Sequence, residues 1–213
     1  MEEAEAGLRE RKKRRTREAI VDAAMDLFEE RGFEGTTVAE IAERADIAPR
    51  TYFAYFPSKE DVVFADFEET LGSLQARLRD REPGETAIDA LRGWLAGKLG
   101  ETDFGDERER CKRRLIRENP SLDAHERHLR GQFEAALGEA VAEDVGGEPT
   151  DVRARMVAAS AVAAFDKLGE YYKDDAGPKA AQFGDDPMAV VDDALRFLRA
   201  GIEALQDAPA PRP

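Results

Sequence analysis

At 213 residues, with 42% apolar and 37% charged side chains, the chain has the composition of a well-folded, helix-rich protein. It can bury a real core as one large domain, or as a small domain joined to a larger one. No apolar run reaches about 18 residues, which excludes a membrane-spanning helix, and a single cysteine, Cys111, excludes an internal disulfide and fits a reducing cytoplasm.

The net charge of −14 argues at first against a nucleic-acid partner, because binding phosphates takes cations. The charge is unevenly placed, however. Arg9, Arg11, Lys12, Lys13, Arg14, Arg15 and Arg17 crowd one short stretch, interrupted only by Glu10 and Thr16. An acidic body with a basic tip orients tip-first on a polyanion. Residues 1–13 are expected to form a disordered basic arm, and with no apolar core behind them they are not a secretory signal.

The rest reads as helix almost throughout, and no stretch alternates like a strand. The first helix spans about Arg14 to Arg31, with Ile20, Ala23, Ala24, Leu27 and Phe28 on one face and Gly32 as a left-handed stop. Thr37 and Glu40 have the spacing of a capping box, which starts a short second helix carrying Val38, Ile41, Ala42 and Ala45 on one side. After the connector Asp46-Ile47-Ala48, Pro49 suits a first helical position, and the third helix is expected from Pro49 to Phe56. Pro57 ends it, and Ser58 is expected to cap a long fourth helix that stops before Pro83-Gly84. Five further helices are expected over about 86–100, 106–117, 121–145, 150–173 and 187–206, with a loop at 174–186 and a frayed tail at 207–213. The fold class is all-α, about nine helices.

Two short helices joined by about three residues let the second enter a major groove while the first braces the backbone. Arg50, Thr51 and Tyr55 can face outward, while Tyr52, Phe53 and Phe56 divide between core and groove edge. Lys59, expected at the start of the fourth helix, is placed to hold a phosphate together with backbone N–H groups.

The run from Thr37 through Asp61, with Ile20-Val-Asp-Ala-Ala-Met-Asp-Leu-Phe-Glu-Glu-Arg-Gly-Phe before it, resembles the DNA-binding unit of the tetracycline-repressor (TetR) family. The likeness covers residues 14–65, with the helix-turn-helix at 37–56. It implies a cytoplasmic homodimer on a pseudo-palindromic double-stranded operator, usually a repressor, released when a small molecule enters a C-terminal domain at 66–206. By position, it implies DNA contacts from Arg15, Thr37, Pro49, Arg50, Thr51, Phe53, Tyr55 and Lys59. Phe53 stands where the family often has a phosphate-bonding tyrosine, so that bond is missing, and Ala54 offers none either. Asp46 stands where glycine is usual, and Ala48 where a capping serine is usual. Asp tolerates the left-handed region and Pro49 restrains Ala48, so the turn is expected to survive. Arg50 is the best candidate for reading a guanine.

In the last helix Met188, Val191, Leu195, Leu198, Ile202 and Leu205 repeat at 3, 4, 3, 4 and 3 residues, the period of helices packed side by side. The resemblance makes this the dimer seam; the same pattern also fits packing inside one subunit. Trp94, Phe104, Phe133 and Phe165 are candidates to line an effector pocket, or plain core. The recognition region hints at an acyl-CoA-like effector. The basic cluster Arg108–Arg117 reads as a solvated face or, less simply, as an anion contact. His125 and His128 lie three apart without a third clear ligand, so no metal site, no cofactor and no enzymatic activity are expected. An enzyme using that histidine pair, or a helical interaction module without DNA contact, leaves the basic tip and the register of residues 14–65 unexplained.

Overall fold

A computed structural model describes the backbone of residues 2–101, 106–173 and 187–206, and the side chains there except at 2–6, 101, 166–173, 187, 190 and 204–206. The expected loop at 174–186, the tail at 207–213, and the side chains of Phe104 and Leu205 lie outside the described residues. The described residues form nine helices and no strand: α1 (Glu2–Arg31), α2 (Val38–Arg44), α3 (Pro49–Tyr52), α4 (Phe67–Arg79), α5 (Ala87–Glu101), α6 (Glu107–Glu118), α7 (Pro120–Asp144), α8 (Val152–Lys173) and α9 (Pro187–Gln206).

Three boundaries differ from expectation. Helix α1 begins at Glu2, so the segment read as a disordered arm is helical. Its residues are mostly strong helix formers, and Arg14 reaches Glu18 one turn on at 3.5 Å. Helix α3 is shorter than the Pro49–Phe56 expected, ending at Tyr52. It tightens into i→i+3 bonds, with the N–H of Ala54 donating to Thr51 and that of Tyr55 to Tyr52. Helix α4 starts at Phe67 instead of near Ser58. Ser58 does cap, but it caps a turn: its hydroxyl accepts from the Asp61 N–H while the Asp61 carboxylate accepts from the Ser58 N–H and hydroxyl. The chain then runs in single turns, so that Val62, Val63 and Phe64 all point into the core. A straight helix spreads three consecutive side chains over most of its circumference and cannot bury all three.

The chain divides into two compact units. The first takes in Met1–Phe67 and Phe104–Arg127. It therefore includes residues that the sequence placed in the C-terminal domain. Ile20, Ala24, Leu27 and Phe28 of α1 are buried with Phe33, Ile41, Ala42, Tyr52 and Phe56. Cys111 and Leu115 of α6 and Leu122 of α7 are buried in the same unit. Arg108 donates to Asp22 at 2.7 Å, Lys112 to Asp66 at 2.9 Å, and His125 stacks on Phe64 with Nε2 3.2 Å from Asp61. Part of the basic cluster is thus tied to carboxylates instead of solvated.

The second unit takes in Glu68–Asp103 and His128–Pro213. Its core joins Leu74 and Leu78 of α4, Ile88 and Leu91 of α5, Leu137 and Val141 of α7, Ala154, Val157, Ala158 and Ala161 of α8, and α9. The α9 contribution is Val191, Leu195, Leu198 and Ile202, each 5% exposed or less, with Met188 partly buried against them. The apolar seam of α9 is therefore filled by its own subunit, which corrects its assignment to the dimer interface. Two Arg–Asp contacts, Arg92 with Asp192 and Arg199 with Asp89, flank the packing of α9 on α5.

Helices α2 and α7 end in the same way. Beyond α7, Gly146 takes φ +64° while the N–H of Gly147 reaches back to the carbonyl of Ala142. Beyond α2, Asp46 takes φ +55° while the N–H of Ile47 reaches back to Ala42 and that of Asp46 to Glu43. Asp46 is the only described non-glycine residue with positive φ. An Asp46→Gly variant is expected to be at least as stable as the parent. Asp46→Val is expected to lose about 1–2 kcal/mol, because a branched side chain meets the full left-handed penalty. Urea unfolding of the two variants measures the difference.

Candidate nucleic-acid interface

The recognition segment is built outward from buried anchors. Thr36, 1% exposed, donates its hydroxyl to the carbonyl of Gly32 at 2.9 Å, with that of Leu27 sharing it at 3.3 Å, and fixes the entry to α2. Thr37 then completes a capping box, its N–H and hydroxyl donating to Glu40 Oε2 at 2.8 and 2.7 Å while its Oγ accepts the Glu40 N–H at 3.3 Å. These bonds from Thr37, with Arg31 nearby, hold the Glu40 carboxyl below its ordinary value. The Glu40 half of the cap is accordingly present near neutral pH and lost as the pH falls through that lowered value. After the Asp46 turn, Ala48 is extended (φ −71°, ψ 143°) with no side-chain cap, and Pro49 opens α3. Tyr52 is fully buried and donates its hydroxyl to the carbonyl of Ser58 at 3.0 Å. Burial, reinforced by the Asp61 and Glu60 carboxylates, pushes the Tyr52 phenol well up, so it stays a donor.

Two cations turn inward: Lys59, expected to hold a phosphate, and Arg17 of the basic run. Lys59 Nζ donates to the carbonyls of Phe33 and Thr36 at 2.7 and 3.0 Å and sits 4.1 Å from the Phe33 ring centroid. Two of its three donors are therefore spent closing the α1–α2 connection. It is also not at a helix N-terminus, since α4 starts at Phe67. Arg17 lies over the Phe56 ring at 4.6 Å and donates to the carbonyl of Ala65. The sequence held a sign of this: Arg17 falls on the apolar stripe of α1, three residues before Ile20 and seven before Ala24.

What remains outside is a compact face. Pro49, Arg50, Phe53 and Ala54 are exposed, while Thr51 and Tyr55 are half-buried beside them. Arg50 has no hydrogen-bond or ion-pair partner among the described residues. Arg15 is exposed on α1, as are Arg9, Arg11, Lys12, Lys13 and Arg14. Thr37 is exposed, but both its donors are committed to Glu40, so reaching a phosphate would break the cap. Other nearby cations are tied up on the surface: Arg44 chelates Glu30 with two bonds of 3.0 Å, and Arg31 reaches Glu40 at 2.9 Å.

Comparison with known proteins decides what this face belongs to. Residues 20–65 match the family model described as bacterial regulatory proteins, tetR family, and residues 85–203 match one described as the MftR C-terminal domain. The transcriptional regulator TcmR of Streptomyces glaucescens is 32% identical over 170 residues, 76% of this chain and 74% of that one. MftR of Mycobacterium tuberculosis, named for mycofactocin biosynthesis, is 32% identical over 148 residues, 70% of this chain and 75% of its own. The chain belongs to the TetR family. Among solved structures, the TetR-family repressor FadR of Thermus thermophilus, in complex with lauroyl-CoA, superposes with a TM-score of 0.51 at 25% identity, covering 92% of this chain and all of that one.

As a TetR-family protein the chain is a DNA-binding transcriptional regulator, and the α2–turn–α3 segment is its helix-turn-helix. In its second unit, Trp94, Phe133 and Phe165 are half-buried at the edge of the core. Trp94 donates its indole N–H to Ser73 Oγ at 2.9 Å and lies 6.3 Å from the Phe133 ring. They line the margin of the core instead of filling it. Among the described residues no group of three His, Cys, Asp or Glu side chains is placed to hold a metal ion, and no helix is long and apolar enough to cross a membrane.

The inward and outward cations should separate experimentally. Lys59→Met is expected to lower the unfolding free energy by about 1.5–3 kcal/mol, the range for a hydrogen bond from a charged donor. Arg50→Ala should leave stability within about 0.5 kcal/mol and cost about 1–3 kcal/mol of discrimination between operator and mismatched duplex. Urea unfolding paired with binding to both duplexes checks this. Removing residues 1–13 should weaken binding most at low salt and flatten the salt dependence, since it deletes the exposed cations Arg9, Arg11, Lys12 and Lys13.

Proposed function

We propose that this regulator is a cytoplasmic homodimeric repressor that holds a pseudo-palindromic operator and leaves it when an acyl-CoA enters the C-terminal unit. The observation that carries the DNA half is Arg50, an exposed guanidinium without an internal partner among the described residues, on a helix whose opposite side is locked into the core. An exposed arginine with its donors uncommitted can meet guanine O6 and N7 with two bonds. Thr51 and Tyr55 supply hydroxyls beside it, Pro49 sets the approach of the helix start, and Arg15 with the other exposed α1 cations supplies phosphate contacts.

The effector half rests on the lauroyl-CoA complex of the Thermus relative and on the half-buried aromatic margin of Trp94, Phe133 and Phe165. An acyl chain suits an apolar, aromatic lining that is not already closed by its own packing.

With the α9 seam used internally, the second copy is proposed to meet the outward sides of α8 and α9. These carry Val152, Met156 and Phe197, exposed by 65%, 64% and 75%, with Ser160 and Ala163 continuing the α8 stripe and Ala200 and Gly201 flanking Phe197. Large apolar side chains this exposed, among small neighbours, suit helix-on-helix contact between copies. A dimer places two recognition helices about 34–36 Å apart, one turn of DNA.

Selection of bound duplexes from a random DNA pool tests the reading: a two-fold symmetric consensus is expected, and lauroyl-CoA should release the selected duplex where free CoA does not. Recovery of no consensus would refute DNA reading, and indifference to acyl-CoAs of every chain length would refute the effector. Phe197→Glu is expected to shift the protein to monomer in sedimentation, with loss of tight operator binding.

A further inference from the structure

The outward side of α3 carries an aromatic ring that its own subunit does not bury. Phe53 is 55% exposed, while Tyr52 beside it and Phe56 three residues on are 0% and 2% exposed. Its backbone stays helical (φ −68°, ψ −10°), which sets the ring three residues beyond Arg50 on the same side, with exposed Ala54 next to it. The ring has one aromatic neighbour. It stands edge-on to Tyr52, centroids 5.5 Å apart at 82°, and Tyr52 is pinned by its bond to Ser58. Nor can Phe53 fold back onto the core, because Tyr52 and Phe56 occupy that side.

Building on the DNA-binding reading above, we propose that Phe53, with the Ala54 methyl, is a specificity determinant that packs against the C5-methyl group of a thymine beside the base pair met by Arg50. Phe53 has no polar atom with which to hold a phosphate. A ring laid over donors and acceptors of base edges desolvates them without return. The thymine methyl is the apolar feature that a base edge offers in the major groove, and it matches a phenyl ring and an alanine methyl. Because a phenylalanine has only two side-chain torsions to fix, little side-chain freedom is lost on contact. The missing tyrosine hydroxyl, which looked like a weakened phosphate contact, becomes an exchange of positioning for reading.

The test uses the full chain and the duplex it selects from random DNA, with thymines replaced one at a time by deoxyuridine, which removes only the methyl. Replacement at one thymine per half-site is expected to weaken wild-type binding about fourfold each, the fold-change for burying one methyl-sized group. Phe53→Ala should bind the unmodified duplex more weakly and treat thymine and deoxyuridine alike, whereas Phe53→Leu should keep part of the preference. The urea midpoints of both variants should match the parent, since the ring is exposed. A wild-type protein indifferent to deoxyuridine at every position would overturn the proposal, as would an unchanged preference in Phe53→Ala; in either case operator binding through Arg50 would stand. Failure to select any duplex would instead overturn the DNA-binding reading, and this proposal with it.

Discussion

Two carbonyl groups in the bend after α1, those of Phe33 and Thr36, converge on the ammonium of Lys59, 26 and 23 residues further along the chain. Between them lie α2, the Asp46 turn and α3. Closing that loop with a partly buried charge pins both ends of the recognition segment to one place, and the Phe33 ring under the ammonium adds to the hold. The inner parts follow from this closure. Tyr52 reaches the Ser58 carbonyl just before Lys59, Ser58 and Asp61 cap each other just after it, and Arg17 covers Phe56 from the side of α1. The outer parts follow too, because a helix of four residues has no stability of its own. Arg50 and Phe53 are presented in fixed positions only because everything behind them is satisfied.

This arrangement divides the labour between residues that look alike in sequence. Cations and hydroxyls beside a helix-turn-helix are readily taken for phosphate ligands. Here Lys59, Arg17 and Thr37 spend their donors inside the protein, while Arg50 and the exposed cations of α1 remain outward. The whole chain is net −14, so its acidic remainder favours approach to a polyanion through these cations and disfavours other contacts with it.

Much of the fold was legible because its signals are local. The Thr37/Glu40 box, Pro49 as first helical residue, Gly32 as a left-handed stop and Asp46 in the left-handed turn each depend on a few adjacent residues. What failed to show depends on partners far along the chain. Residues 58–66 have the composition of a helix, yet Val62, Val63 and Phe64 are all drawn into one core. The α9 seam has the same period whether its partner is a second copy or helices of its own chain, and burial of Val191, Leu195, Leu198 and Ile202 assigns it to the latter. The extension of α1 to Glu2 does not show in a dense run of like charge, although the Arg14–Glu18 pair one turn apart supports a helix. The recognition face itself was half legible: Arg50 stood out by its charge, whereas the value of Phe53 emerges only once Tyr52 and Phe56 are seen to fill the core beneath it.

The closure by Lys59 implies that the recognition segment is fully formed before DNA arrives. Amide hydrogen exchange of the DNA-free protein tests it most directly, at the N–H groups of Ala45, Ile47, Thr51 and Phe56, which donate to Ile41, Ala42, Ala48 and Tyr52. These four are expected to be protected without DNA to nearly the level of the α1 core and to gain little when the operator is added. Fast exchange in the free protein, slowed only by operator, would contradict it and mean that DNA assembles the segment.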